Sequence, residues 1–220
     1  MHSRTAAIRR YFFIMNSAGA SLSKRLFDVF GSVLALAFLS PIFLFVAVLV
    51  RRDGGSALFS HERVGLGGTT FFCLKFRSMY EDSDARLETL LAGDPNARQE
   101  WSEHYKLKED PRITPLGHFL RESSIDELPQ LVNVLRGNMS LVGPRPVIVE
   151  ELEKYGDAKE AYLSVRPGLT GLWQVSGRND LDYETRVALD TEYVETWSFK
   201  ADVIILLKTI RVVIERRGAY

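Results

Sequence analysis

"VFGSVLALAFLSPIFLFVAVLV", Val29 to Val50, carries no charged residue. As a helix these residues would extend about 33 Å at 1.5 Å per residue, enough to cross a hydrocarbon core of roughly 30 Å. A helix apolar on every face is too long to serve as the core of a 220-residue soluble protein. A cleavable leader fits no better, because the run is too long and "RRDGG" follows it where a small-residue cleavage site should stand. The stretch therefore reads as a membrane segment.

Its flanks and its middle complicate a simple crossing. Arg4, Arg9, Arg10, Lys24 and Arg25 precede it with no acid before Asp28, and Arg51 and Arg52 follow it. Basic residues collect on the cytoplasmic side, so both ends carry the cytoplasmic signature. Ser40-Pro41 divides the run. Pro41 lacks the N–H that would bond the Ala37 carbonyl, and the Ser40 hydroxyl can satisfy the freed group locally. Two topologies remain open on these grounds: a kinked spanning helix, or two halves of about 18 Å each that enter and leave by the same face. Near the C-terminus, "FKADVIILLKTIRVVIERR" sets Lys208, Arg211 and Glu215 on one stripe of an otherwise apolar helix. That pattern suits a helix lying in the membrane interface, and equally one that covers a core.

The bulk composition closes several routes. Net charge is zero, which gives no electrostatic basis for nucleic-acid binding. Cys73 is the single cysteine, so neither a disulfide framework nor a cysteine-rich zinc site is available. His2, His61, His104 and His118 are scattered without metal-ligand spacing.

Between the apolar segments the chain reads as α+β and mostly α. "ALFSHERVGLGGTTFFCLKFRSM" is two strands around the turn Leu66-Gly67-Gly68, with Lys75 and Arg77 two apart and so on one face. "DARLETLLAG" and "ARQEWSEHYKLKE" are helices separated by Gly93-Asp94-Pro95. Thr114 and Pro115 start another, as N-cap and first helical residue. "VIVEELEKYG" and "YETRVALDTEYVETW" are helical, and "VRPGLTGLWQVSGRND" is irregular. No βαβ succession, dinucleotide fingerprint or Walker loop is present.

"SSIDELPQLVNVLRGNMSLVGPRP", Ser123 to Pro146, holds the chemistry. Ser124 and Glu127 match a capping box, but that register buries Pro129 inside the helix. Starting the helix at Asp126 puts Pro129 in the first turn, makes Asp126 the cap, and sets Asp126 and Glu127 at the positive end of the helix dipole. Ionised there, Asp126 can act as a nucleophile and Glu127 can hold Mg²⁺ beside phosphate oxygens. Two prolines fix the backbone around Arg145, preorganising its fork for phosphate. Arg121, Lys75 and Arg77 are further cation candidates. The bland alternative is a capped helix followed by a tight turn.

These motifs resemble the monotopic bacterial phosphoglycosyl transferases, the bacterial sugar transferase family. The likeness runs from Lys24 to Tyr220 and is carried by "KRLFDV", Ser40-Pro41, "ERVG", "CLKFRSM", "DPRITPLGHFLRESSIDELPQLVNVLRGNMSLVGPRP" and "RPGLTGLWQVSGRN". The chain is similar to the short form, in particular to rhizobial enzymes that initiate exopolysaccharide. The resemblance implies a basic tail over 1–23, a re-entrant helix-hairpin over 24–52 broken at Ser40-Pro41, and a cytoplasmic catalytic domain over 53–220 with a C-terminal interfacial helix. It implies Asp126 as nucleophile toward a UDP-sugar, Glu127 as the Mg²⁺-holding acid, Arg145 as a phosphate ligand, and Arg121 and Lys75 as supports. The expected reaction moves galactose 1-phosphate, or glucose 1-phosphate, to undecaprenyl phosphate with release of UMP, at the cytoplasmic face of the inner membrane. Trp173, Gln174 and Arg178 are expected near the nucleotide or sugar, and a homo-oligomer is compatible. Two other functions fit parts of the sequence: a glycosyltransferase using Asp82-Ser83-Asp84 or Asp180-Leu181-Asp182, and a non-catalytic membrane scaffold.

Overall fold

A computed structural model describes residues 2–104, 107, 109–177 and 181–215, except for the side chains of 2–21, 53, 103 and 104. Helix α1 runs from His2 to Val50. The basic stretch expected as a separate tail is thus the N-terminal part of the same helix. A hairpin follows, β1 (Leu58–Val64) antiparallel to β2 (Thr70–Phe76). Its turn needs left-handed backbone at Gly67 and Gly68, which the missing Cβ permits. Helices α2 (Ser83–Gly93), α3 (Pro95–His104) and α4 (Pro115–Glu122) come next. The Thr114 cap forms as expected, its hydroxyl accepting the Gly117 N–H at 2.8 Å.

Beyond a 3-10 turn at Ile125–Glu127, α5 spans Gln130–Arg136. Strand β3 (Ser140–Val142) pairs in parallel with β4 (Gly168–Thr170), and α6 (Val149–Glu153) and α7 (Lys159–Leu163) lie between them. This parallel ladder is absent from the sequence reading. Three-residue strands are too short to show an alternation, and only the fold brings them together. The chain ends with α8 (Leu172–Ser176), α9 (Tyr183–Thr196) and α10 (Phe199–Glu215).

The expected break at Ser40-Pro41 is not shown, because the helix stays continuous through it. The local chemistry is as expected: the Ser40 hydroxyl donates to Ala37 O at 2.9 Å, supplying the bond that Pro41 cannot make. One face of α1 packs on the domain along its length. Phe27, Ala35, Leu36 and Leu39 join a core built on Leu131, Val134, Met139 and Val142. Val46 and Val50 join Phe76 and Leu120 further along. The opposite face presents Leu22, Leu26, Phe30, Leu34, Phe38 and Phe45 to the outside, with Phe38 83 % exposed.

Polar anchors fix α1 in register. The fully buried Asp202 of α10 accepts from Lys24 at 2.6 Å, from Tyr193 at 2.8 Å and from Trp197 at 3.1 Å. Asp28 accepts from the Ser140 hydroxyl and the Leu141 N–H, each at 3.0 Å. Arg25 donates to Val134 O and Leu135 O, carbonyls of the last turn of α5. Lys24 and Arg25, read from the sequence as topology signals, are therefore also internal ties. Replacing Asp202 by alanine strands a part-buried lysine and two donors, so Asp202→Ala is expected to lose about 3 kcal/mol, measured by denaturant unfolding in detergent.

Candidate active site

The acid pair sits on the 3-10 turn, because α5 starts at Gln130, four residues beyond the start at Asp126 expected from sequence. Ser124 adopts left-handed backbone and makes no side-chain cap, and Pro129 occupies the cap position of α5. Asp126 therefore caps nothing. Its carboxylate turns inward and is 9 % exposed. Pro129 still costs little, because no helical partner awaits an N–H there.

Asn133 on α5 sets what faces that carboxylate. Its amide donates to Phe72 O at 2.8 Å and its oxygen accepts the Leu74 N–H at 2.9 Å, which pins α5 to the middle of β2. The next residue, Lys75, then falls beside the acids. Its ammonium is 2.7 Å from Glu127 Oε1 and 3.6 Å from Asp126 Oδ2. Burial dominates the charge balance of Asp126 and raises its pKa above the usual carboxylate value, while Lys75 and Arg121 oppose that rise. The helix-dipole effect expected from sequence is outweighed, since a buried carboxylate loses more hydration than half a helix charge returns.

A cleft opens beside Lys75 and Glu127, lined also by Arg63, Gln130, Arg145 and Gln174. Arg145 is held from behind. Its guanidinium lies over Trp173, 5.4 Å from the ring, and Arg186 lies 5.1 Å from the same ring. The buried Asp190 lies beside the Arg145 backbone and accepts the Tyr155 hydroxyl at 2.8 Å, and burial pushes its carboxyl up to about 6. The turn itself is fastened to β4, with Gly143 donating to Thr170 O at 2.9 Å and Gly168 donating to Pro144 O at 2.7 Å. A Cβ on Gly168 would collide with the Gly143 backbone, so this close crossing requires glycine.

Asp126, Glu127, Lys75, Arg145 and Gln174 come together as expected. Arg121 stands on the other flank of Asp126 and donates to the Ser78 hydroxyl at 2.8 Å. Trp173 is a buried support for Arg145. Arg77 lies just past β2 and donates to Ser56 O at 2.7 Å and Val50 O at 3.1 Å, fastening the end of α1 away from the cleft. Arg178 is outside the described residues. Of the DxD pairs, Asp82 binds Arg86 at 2.7 Å and Asp182 caps α9 through Thr185, while Asp180 lies outside the described residues. Sequence reasoning missed Arg63, Gln130, Asn133, Arg186 and Asp190. Only Arg63 left a trace, its alternation along β1 placing it on the face that β2 shares with Lys75.

Among the described residues no group of three or more metal-binding side chains converges. Asp126 and Glu127 alone would suit Mg²⁺, which takes one or two carboxylates and completes its shell with water and substrate phosphate oxygens.

The geometry carries a spectroscopic expectation. With its pKa raised, Asp126 protonates at a pH where an ordinary aspartate stays ionised, and Lys75 restrains that rise. In Lys75→Met the carboxyl titration should move to still higher pH, followed by carbon NMR of labelled aspartate; an unchanged midpoint would show that Lys75 does not act on it.

The family model for bacterial sugar transferases matches residues 19–216. The chain is 52 % identical to the exopolysaccharide production protein ExoY of Sinorhizobium fredii across the whole of both chains. It is 54 % identical over 197 residues to the undecaprenyl-phosphate galactose phosphotransferase of Salmonella typhimurium, covering 90 % of this chain and 41 % of that one. It is 40 % identical over 211 residues to the undecaprenyl-phosphate glucose phosphotransferase of Komagataeibacter xylinus, covering 37 % of that protein. An acid pair beside fixed cations, a membrane-length apolar helix and a match over nearly the whole chain make this protein a transferase of the bacterial sugar transferase family.

Proposed function

We propose that this enzyme transfers a hexose 1-phosphate from a UDP-sugar to undecaprenyl phosphate, through a phosphosugar held covalently on Asp126, with galactose favoured over glucose. The observation that carries the reading is a buried carboxylate with Lys75 3.6 Å away, at the edge of a cleft that Arg145 faces. The relatives named for undecaprenyl-phosphate sugar transfer support the acceptor, and the two higher identities support galactose and an exopolysaccharide product.

Lys75 and Arg121 keep Asp126 ionised despite its burial, so the carboxylate can attack the sugar-bearing phosphorus. Arg145 receives phosphate oxygens in a fork already oriented by Trp173. Glu127, with Asp126, would hold Mg²⁺, which when bound offsets charge on the phosphate oxygens. The acyl phosphate then faces attack by the lipid phosphate, which restores the Asp126 carboxylate. Cys73 takes no part, since burial pushes its thiol up to about 11.

The lipid acceptor requires a membrane seat. We read the outward apolar faces of α1 and α10 as that seat, on the cytoplasmic leaflet of the inner membrane. Phe27 of α1 stacks on Phe199 of α10 at 4.9 Å, which joins the two faces. From Lys24 to Val50 the helix is about 39 Å long, yet both its ends are fastened to the same domain. A bilayer crossing would separate those ends, so the helix, continuous in this structure, is read as bending at Ser40-Pro41 within the leaflet when it enters and leaves by one face.

Purified enzyme given UDP-galactose and undecaprenyl phosphate is expected to release UMP; release of UDP would indicate a glycosyltransferase instead. With donor labelled in the β-phosphate, rapid quenching should trap label on the polypeptide. Asp126→Asn should abolish both trapping and turnover, a loss of at least about 10³-fold, while remaining folded and membrane-bound. A scaffold would tolerate that change. Tags on both termini should be reachable only from the cytoplasm in protease-protection assays, and an external tag would make α1 a crossing helix.

A further inference from the structure

Among the described residues, Arg63 is the one cation lining the cleft to which the reaction above gives no role. We propose that Arg63 is a second phosphate-binding residue, which with Arg145 grips the nucleotide-side phosphate of the donor and holds it as it leaves. This rests on the reading of the donor as a nucleoside diphosphate sugar.

Strand register aims the side chain. Arg63 pairs with Phe71 across the hairpin, so it shares a face with Cys73 and Lys75 and lines the same cleft as Arg145. Three hydrogen bonds lock the two arginine backbones to each other. Val64, next to Arg63, donates its N–H to Val147 O at 2.9 Å. The Tyr162 hydroxyl donates to Val64 O at 2.9 Å and accepts the Val147 N–H at 3.2 Å. Tyr162 is itself buried against Val64, Val147 and Tyr155, so the clamp is rigid.

Among the described residues, neither guanidinium has a carboxylate within hydrogen-bond reach. The nearest carboxylate to Arg63 is Glu151 at 3.9 Å, beyond hydrogen-bond reach, and Glu151 is shared with Arg186 at 3.7 Å. Among the described residues, no side-chain acceptor hydrogen-bonds the guanidinium of either Arg63 or Arg145. Arg63 is only 21 % exposed, so water compensates little of its charge. The two like charges oppose each other across the cleft, and burial with Arg145 nearby depresses the Arg63 pKa. Holding a largely buried guanidinium beside a second, like-charged one in fixed register is costly, and an anion between them removes the cost.

Position selects which phosphate. Lys75, Asp126 and Glu127 gather on one side of the cleft, where the transferring phosphorus must lie within reach of the nucleophile. When a carboxylate oxygen of Asp126 bonds that phosphorus, its bond to the bridging oxygen breaks. The electron pair stays on the bridging oxygen, and UMP leaves with one more negative charge and no proton transfer. The Arg63–Arg145 pair is placed to take that charge, which develops only as the bond breaks.

The test uses the full-length enzyme in detergent, with equilibrium binding of UMP and of uridine. Wild type should prefer UMP, and Arg63→Gln should weaken UMP about tenfold to hundredfold while leaving uridine unchanged. Phenylglyoxal labelling of the wild type, read by peptide mass spectrometry, makes the same point without a mutant that must fold: UMP should protect Arg63, and uridine should not. If UMP binds but neither protects Arg63 nor depends on it, the assignment to Arg63 is overturned and the donor reading stands. If the wild type neither binds UMP nor releases it from UDP-sugars, the donor reading itself falls and takes this assignment with it.

Discussion

An ionised carboxylate held inside a protein has to be surrounded by cations, and that requirement organises the catalytic half of this fold. Asp126 is almost out of contact with water. Lys75 approaches it from β2, and Arg121 stands on its other flank from α4, each opposing the effect of burial. Neither cation is placed by proximity in sequence. Lys75 is carried in because Asn133 pins α5 to the β2 backbone, and Arg121 is steadied by Ser78. A charge that burial alone would suppress is sustained because three separate elements converge on it, which suits the nucleophile role proposed for it.

The same logic joins the membrane helix to the domain. An apolar helix has no reason to hold one orientation against a protein surface, since apolar contacts are non-directional. Asp202, Asp28 and Arg25 supply the direction, through hydrogen bonds from or to α1 that only one register satisfies. The result leaves α1 with two apolar faces of different destination. One completes the core beside Val134 and Met139, and the other is exposed along Leu26, Phe30 and Phe38. The candidate site and the exposed apolar face are thereby parts of one packed unit, which suits the proposed reaction between a water-soluble donor and a lipid phosphate.

Behind the cleft lies a second organised layer that supports Arg145. The guanidiniums of Arg145 and Arg186 both lie against the Trp173 ring, and the buried Asp190 sits beside the Arg145 backbone. The Gly143–Gly168 crossing lets β3 and β4 approach closely enough to carry the Pro-Arg-Pro turn. These contacts draw on residues from 140 to 190, so that a short turn acquires the rigidity of the whole domain.

Local chemistry was readable without the fold. The apolar run, the Ser40 bond that replaces the one lost at Pro41, the Thr114 cap, the two-stranded hairpin and the acid pair all follow from interactions within a few residues. What the sequence alone left undecided was everything that depends on distant partners. Arg77 looked equivalent to Lys75 by spacing, yet backbone carbonyls of the α1 end claim it. Asp126 looked like a helix cap, yet burial turns it inward and makes desolvation, not the helix dipole, the dominant influence. Arg63, Asn133 and Asp190 carry no local signature, because their roles arise from neighbours far along the chain. Hydrogen bonds close in sequence are encoded by residue type and spacing, whereas the environment of a charge is set by whatever the tertiary fold packs around it.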